Sequence, residues 1–144
     1  MTDITSSVAQ KEVGKGLEGL GYWVCKKVTP VSDSTDTAAA HEIITLPANS
    51  FVTEGYVVVT TTCTSGGSAT VKWGTGSKDY SGAIPVANLA ANDVVKLQIM
   101  DYEDVDGGAG YSTSADTFDM TIATAALTAG VMYVMINIVE LVGE

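Results

Sequence analysis

The chain has 144 residues and a mass of 14.9 kDa, the size of one ordinary domain with room for a sizeable core. An apolar fraction of 46% excludes a disordered tail, although only 17% of residues are charged and Thr, Ser, Ala and 15 Gly stand in for the usual surface charges. Seven basic residues, all Lys, oppose seventeen acidic ones for a net charge of -10, which argues against nucleic acid and against an anionic membrane surface.

In chain order, residues 1–21 come first and read as an extended arm. Gly14, Gly16, Gly19 and Gly21 crowd its second half, and Ile4, Val8, Val13, Leu17 and Leu20 are its scattered apolar positions. Glycines at that density disfavour a helix by about 1 kcal/mol each, and the apolar positions favour lying on a partner surface. Met1 to Ser7 shows no basic stretch followed by an apolar one, so the chain is expected to be soluble and made without export. The β-sandwich domain is expected over residues 22–144. Tyr22 to Val28 is a run of β formers that stops at Thr29-Pro30. Val31 to Ala40 reads as a loop, and His41 to Leu46 as a short strand closed by the turn Pro47 to Ser50. Phe51 to Cys63 is a long strand, almost purely β-branched over Val57 to Thr62. Ser65-Gly66-Gly67-Ser68 then predicts a hairpin into Ala69 to Trp73.

Gly74 to Tyr80 is a polar turn, and Ala83 to Val86 a short strand whose Pro85 confines it to a sheet edge. Asp93 to Met100 alternates, with Val95, Leu97 and Ile99 on one face. The acidic, Gly-rich loop Asp101 to Gly110 follows. Thr117 to Ala123 alternates again, with Phe118, Met120 and Ile122 inward, and Ala125 to Leu127 reads as one helical turn before a last strand from Val131 to Val142. Such a strand extends roughly 40 Å at about 3.3 Å per residue, whereas a chain of this length has a radius of gyration of roughly 15 Å. It therefore runs the length of the domain. Val131, Tyr133, Met135, Val139 and Leu141 alternate with Met132, Val134, Ile136, Ile138 and Val142, so both faces are apolar and the outer one needs a cover: the arm, a loop or another subunit. Short strands separated by turn residues, with no strong helix, predict an all-β antiparallel sandwich, in its jelly-roll version.

Chemistry is hard to assemble from these residues. His41 is the one histidine, placed at a strand start where a local bond explains it better than a catalytic base does. Cys25 and Cys63 sit in apolar runs and read as two small buried hydrophobes, ahead of a disulfide or a nucleophile. Asp101, Glu103, Asp104 and Asp106 offer oxygen ligands for a cation such as calcium, but their spacing departs from the EF-hand loop and a solvated acidic loop is the plainer reading. Gly14-x-Gly16-x-x-Gly19 follows no strand and opens no helix, so it is not a dinucleotide fingerprint. Gly74 to Lys78 lacks phosphate-loop spacing. Trp23, Trp73 and Tyr80 raise sugar stacking, although aromatics on strands more often anchor cores or interfaces. No catalytic, cofactor-binding or metal-binding residue is assigned.

The segment Ile43-Ile-Thr-Leu-Pro-Ala-Asn-Ser-Phe-Val52, with the Val/Thr strand up to Thr62, resembles small structural proteins of tailed bacteriophages that decorate or cement the capsid. So do Asp116-Thr-Phe-Asp-Met-Thr-Ile122 and Leu127-Thr-Ala-Gly-Val-Met-Tyr-Val134. The resemblance covers about a third of the chain and implies a non-enzymatic β-sandwich on the virion exterior, made in the host cytoplasm and bound to the major capsid protein. A two-faced apolar strand suits a homo-oligomer, with a trimer favoured. The rival expectation is a tail- or fibre-associated module that presents Trp73, Tyr80 or Tyr111 to a host-surface carbohydrate. A hydrolase built on His41 is the third.

Overall fold

The computed structural model describes residues 21–76, 78–98 and 110–141. The expected arm over residues 1–20 and the acidic loop 101–109 lie outside the described residues. In chain order the elements are β1 (Tyr22–Val28), the short helix α1 (Pro30–Asp33), β2 (Ala40–Leu46), β3 (Ser50–Ser65), β4 (Thr70–Thr75) and β5 (Ile84–Pro85). A 3-10 turn (Val86–Asn88), β6 (Val94–Lys96), β7 (Asp116–Ala123) and β8 (Leu127–Glu140) complete them. They form two antiparallel four-stranded sheets packed as an all-β sandwich. Sheet one has the order β1-β8-β3-β6 and sheet two the order β2-β7-β4-β5.

Alternation of apolar residues sets which side of each strand enters the core. From sheet one, Val28, Val52, Val57, Val59, Met132, Val134, Ile136 and Ile138 point inward. From sheet two, Ile44, Leu46, Val71, Trp73, Phe118, Met120 and Ile122 meet them, and all are buried. Tyr80 and Phe118 stack with ring centroids 6.0 Å apart. Strand β8 pairs with β1 on one side, from Tyr22↔Ile138 to Val28↔Met132, and with β3 on the other, from Ser50↔Glu140 to Ser65↔Leu127. Against β8, β3 shifts register between Val59 and Thr61 and again between Thr61 and Thr64, which bends the strand. Gly130 (φ 139°) makes the bend possible, because a Cβ there would lie 2.6 Å from the Cys63 sulfur.

Several expectations are corrected. Ser65 to Ser68 does not close a hairpin, since β3 and β4 lie in different sheets. Both edges of β3 are occupied by β8 and β6, while Val71 and Trp73 pair with Ile122 and Met120. The turn instead carries the chain across the sandwich, with the Ser65 hydroxyl donating to the Gly67 carbonyl at 2.5 Å. A Gly-centred turn specifies reversal, not the plane in which the chain returns. Val31 to Ala40 is not wholly loop, because α1 begins at Pro30, and the Asp33 carboxylate accepts the Thr29 N–H at 2.8 Å. Ala125 to Leu127 forms no helical turn: β8 starts at Leu127, with the Leu127 N–H donating to the Asp36 carbonyl at 2.8 Å. Of Asp93 to Met100, only Val94–Lys96 is strand, and Ile99 and Met100 lie outside the described residues. Pro85 does sit on an edge strand, at the end of sheet two.

Ile136 and Met135 are neighbours on β8 with opposite roles, the first wholly buried in the core and the second half-exposed on the outer side. Ile136→Ala is therefore expected to cost about 2–5 kcal/mol, and Met135→Ala about 1 kcal/mol or less. Urea unfolding of the two variants, with unchanged denaturant slope, measures the difference.

Candidate interaction surface

The residues singled out for chemistry do not converge. The His41 ring nitrogen Nε2 lies 2.8 Å from the Thr37 carbonyl and 3.4 Å from its hydroxyl, a local bond at the rim of β2. Cys63 is buried at 3% exposure, and burial pushes its thiol pKa up, the reverse of what a nucleophile needs. It contributes to an open cleft of about 420 Å³ between the Ser65–Ala69 turn and Pro85–Ala87. Cys25 is exposed, which corrects its expected burial. It pairs with Met135 on the outer face of an edge strand, and a run of β formers does not reveal which alternate positions face the core. Both cysteines are free. The expected turn from Gly74 starts later than read, because Gly74 and Thr75 end β4; beyond them the Thr75 N–H donates to the Lys78 carbonyl at 2.8 Å and the Lys78 N–H to the Thr75 hydroxyl at 3.2 Å. Among the described residues no three His, Cys, Asp or Glu side chains gather to hold a metal ion, and no helix is long and apolar enough to cross a membrane.

The aromatic residues divide in an unexpected way. Trp73 and Tyr80 are 0% and 1% exposed, so neither can stack on a sugar. Burial pushes the Tyr80 hydroxyl pKa up to about 12; a hydrogen bond with Thr75 opposes the shift and the Asp116 charge adds to it. Tyr111 is exposed, but its ring packs edge-on against Phe51 and its hydroxyl donates to Asn49 at 3.3 Å. Trp23 and its neighbour Tyr22 are also exposed, at 51% and 44%, and of the two it is Trp23 that lies on the outer side of sheet one.

That surface is the outer face of sheet one, and the register reads it out. Across β1, β8 and β3, Trp23 shares a row with Asn137 and Glu54, Cys25 with Met135 and Tyr56, and Lys27 with Tyr133 and Val58. Along β6, Lys96 continues the Tyr56 row and Val94 the Val58 row. The Trp23 and Tyr56 rings, carried by the strands on either side of β8, stack with centroids 6.2 Å apart and an interplanar angle of 23°. The two rings pack against each other as an offset pair on this face. The Tyr56 hydroxyl donates to Glu54 at 3.4 Å, and the Thr53 hydroxyl donates to Asn137 Oδ1 at 2.9 Å.

One end of this face is closed. Val139 is 7% exposed, with Phe51 as its partner on β3. Gly21 (φ 91°) crosses there so closely that a Cβ would lie 3.0 Å from Val139 Cγ2 and run into Asn137. The cover that the second apolar face of β8 requires is thus supplied at Val139. Further along, Met135, Tyr133 and Val131 are only half-buried, and Val94 is 60% exposed. Lys26, Lys27 and Lys96 lie on β1 and β6, the two edge strands of the same sheet.

No family model matches the chain, and no curated protein matches it significantly. Among solved structures it is similar to a chain in the acidic stable capsid structure of the Helicobacter pylori bacteriophage KHP30. The TM-score is 0.51 at 12% identity, covering 81% of this chain and 86% of that one. A chain in the capsid of Ralstonia phage GP4 aligns with a TM-score of 0.45 at 14% identity, covering 85% and 86%. At 12% identity the likeness to the KHP30 chain is one of fold.

The cysteines should separate cleanly under a thiol-alkylating reagent. Cys25 is modified in the native protein, whereas Cys63 reacts only on unfolding, as peptide mapping by mass spectrometry would register. Tyr80 predicts an alkaline limit. A tyrosine in the unfolded chain releases its proton near pH 10, so from there up to about 12 the folded state binds the extra proton and stability falls as pH rises. The loss is on the order of 2 kcal/mol, and Tyr80→Phe flattens it in urea titrations across that window.

Proposed function

We propose that the chain is a non-enzymatic structural protein of a bacteriophage virion, which decorates or cements the capsid by binding the major capsid protein on the exterior of the head. The observation that carries this reading is a stacked aromatic pair, with Trp23 exposed, on the outer face of a sandwich that shares its fold with a chain of a phage capsid. The strand order supports a jelly roll. Apart from the step from β4 to β5, each consecutive pair of strands lies in opposite sheets, as when one long hairpin is wound around the sandwich. An acidic chain without arginine has little to offer packaged DNA and suits an outer position. Homo-oligomerisation, with a trimer favoured, and synthesis in the host cytoplasm belong to the same proposal.

The carbohydrate-binding reading loses Trp73 and Tyr80, which belong to the core, and keeps Tyr111, whose ring packs on Phe51, and the exposed Trp23. A hydrolase reading loses its base, since His41 is bonded to its own loop.

Capsids assembled without the chain provide the test. The purified protein is expected to sediment as an oligomer, to co-sediment with such capsids to saturation, and to raise the temperature at which they rupture. A protein that stays monomeric and leaves the capsids bare and unprotected overturns the proposal.

A further inference from the structure

We infer that the outer face of sheet one is the docking surface, and that its occupant is a protein surface with an apolar centre and carboxylates at its rim. The inference rests on the capsid-binding reading and names the part of the molecule that does the binding.

Charge placement carries the argument. The chain has a net charge of -10, yet this face has an aromatic and aliphatic centre at Trp23, Tyr56, Met135 and Tyr133, with Lys27 on one flank, Lys96 on the other, and the Glu54 carboxylate in the Trp23–Asn137 row, where it accepts the Tyr56 hydroxyl at 3.4 Å. Neither lysine forms an ion pair among the described residues, whereas Lys72 is held 3.4 Å from Asp79 on sheet two. Lysines on edge strands also deter unwanted strand pairing, and that role alone accounts for Lys26. Lys27 and Lys96 share rows with the apolar centre, so a flat partner covering Tyr56 and Tyr133 meets both ammonium groups. Carboxylates opposite them would steer and register the encounter.

A second copy of this chain is a poor occupant of the same face. In an aligned stack of two such sheets, an in-plane two-fold axis places β1 over β1 or β1 over β6. Lysine edges then oppose lysine edges, an unfavourable juxtaposition. Sugar stacking would use Trp23 and Tyr56 but would be indifferent to the lysines.

The full-length chain is titrated onto capsids assembled without it, comparing wild type, Trp23→Lys, Lys27→Glu with Lys96→Glu, and Thr45→Glu on exposed β2 as control. Urea midpoints close to wild type certify folding. The expected result is that capsid-bound protein protects Cys25 from alkylation, that Trp23→Lys and the double variant weaken binding by about tenfold or more, that added salt weakens wild-type binding, and that Thr45→Glu binds normally. Tight binding with Cys25 still reactive, or undiminished binding by both face variants, overturns the docking surface and leaves the capsid reading standing. Loss of binding in Trp23→Lys alone, with the lysine variant and salt without effect, overturns the acidic rim. Cys25 already protected in the free protein means that the face is occupied by residues 1–20 if the protein is monomeric, or by a second copy if it is not, and either overturns the proposal. Failure of the wild type to bind overturns both readings together.

Discussion

Strand β8 is held on both edges and pressed on one face, and most of the molecule is arranged around it. Its backbone hydrogen bonds to β1 and β3 place it in the interior of sheet one, where a half-satisfied ladder would leave peptide groups without partners. Met132, Val134, Ile136 and Ile138 on its inner side meet sheet two, so sheet one cannot slip by a residue without turning this row out of the core. The bend in β3 near Cys63 and the glycine at position 130 are local adjustments that let a sixteen-residue strand stay paired with β8 to its end. The same pairing decides the composition of the outer face. Whatever alternates with the core residues of β8 is presented together, in register, with the outward residues of β1 and β3.

Much of this was legible in the sequence, and the gaps have physical causes. Strand positions followed from β-branched runs and alternation: Tyr22–Val28 was read to the residue, and the inward set Phe118, Met120 and Ile122 is buried. The apolar character of both sides of β8 was also visible, and with it the need for a cover. Sheet membership was not. Turn chemistry reports a local reversal, and only the competition for strand edges sends β4 into the opposite sheet. Cys25 and Trp23 were misjudged or left open for a related reason. On an edge strand flanked by lysines, composition gives no clue to which alternate residues point outward. The stacking of Trp23 on Tyr56 joins residues of two strands separated by a third, a relation that exists only once the register is known.

Histidine, buried thiol and core aromatics are each occupied by local bonds or packing, which leaves the outer face of sheet one as the place where stacked aromatic area and lysines without an ion pair among the described residues coincide. Interfaces depend on such coincidence, because preorganised aromatic anchors avoid the ordering cost that flexible side chains incur, while flanking charges discriminate among partners.

Strand order also governs when this face comes into being. Tyr22 pairs with Ile138, and among the described residues β1 has no neighbour in its sheet other than β8. During synthesis β1 leaves the ribosome early and waits, unpaired, until the residues of β8 have emerged. Pairings so distant along the chain close slowly, and the Trp23–Tyr56 stack forms only after β8 has slotted between β1 and β3. A nascent or truncated chain lacking β8 therefore has no Trp23–Tyr56 stack, and this face is complete only when the fold is.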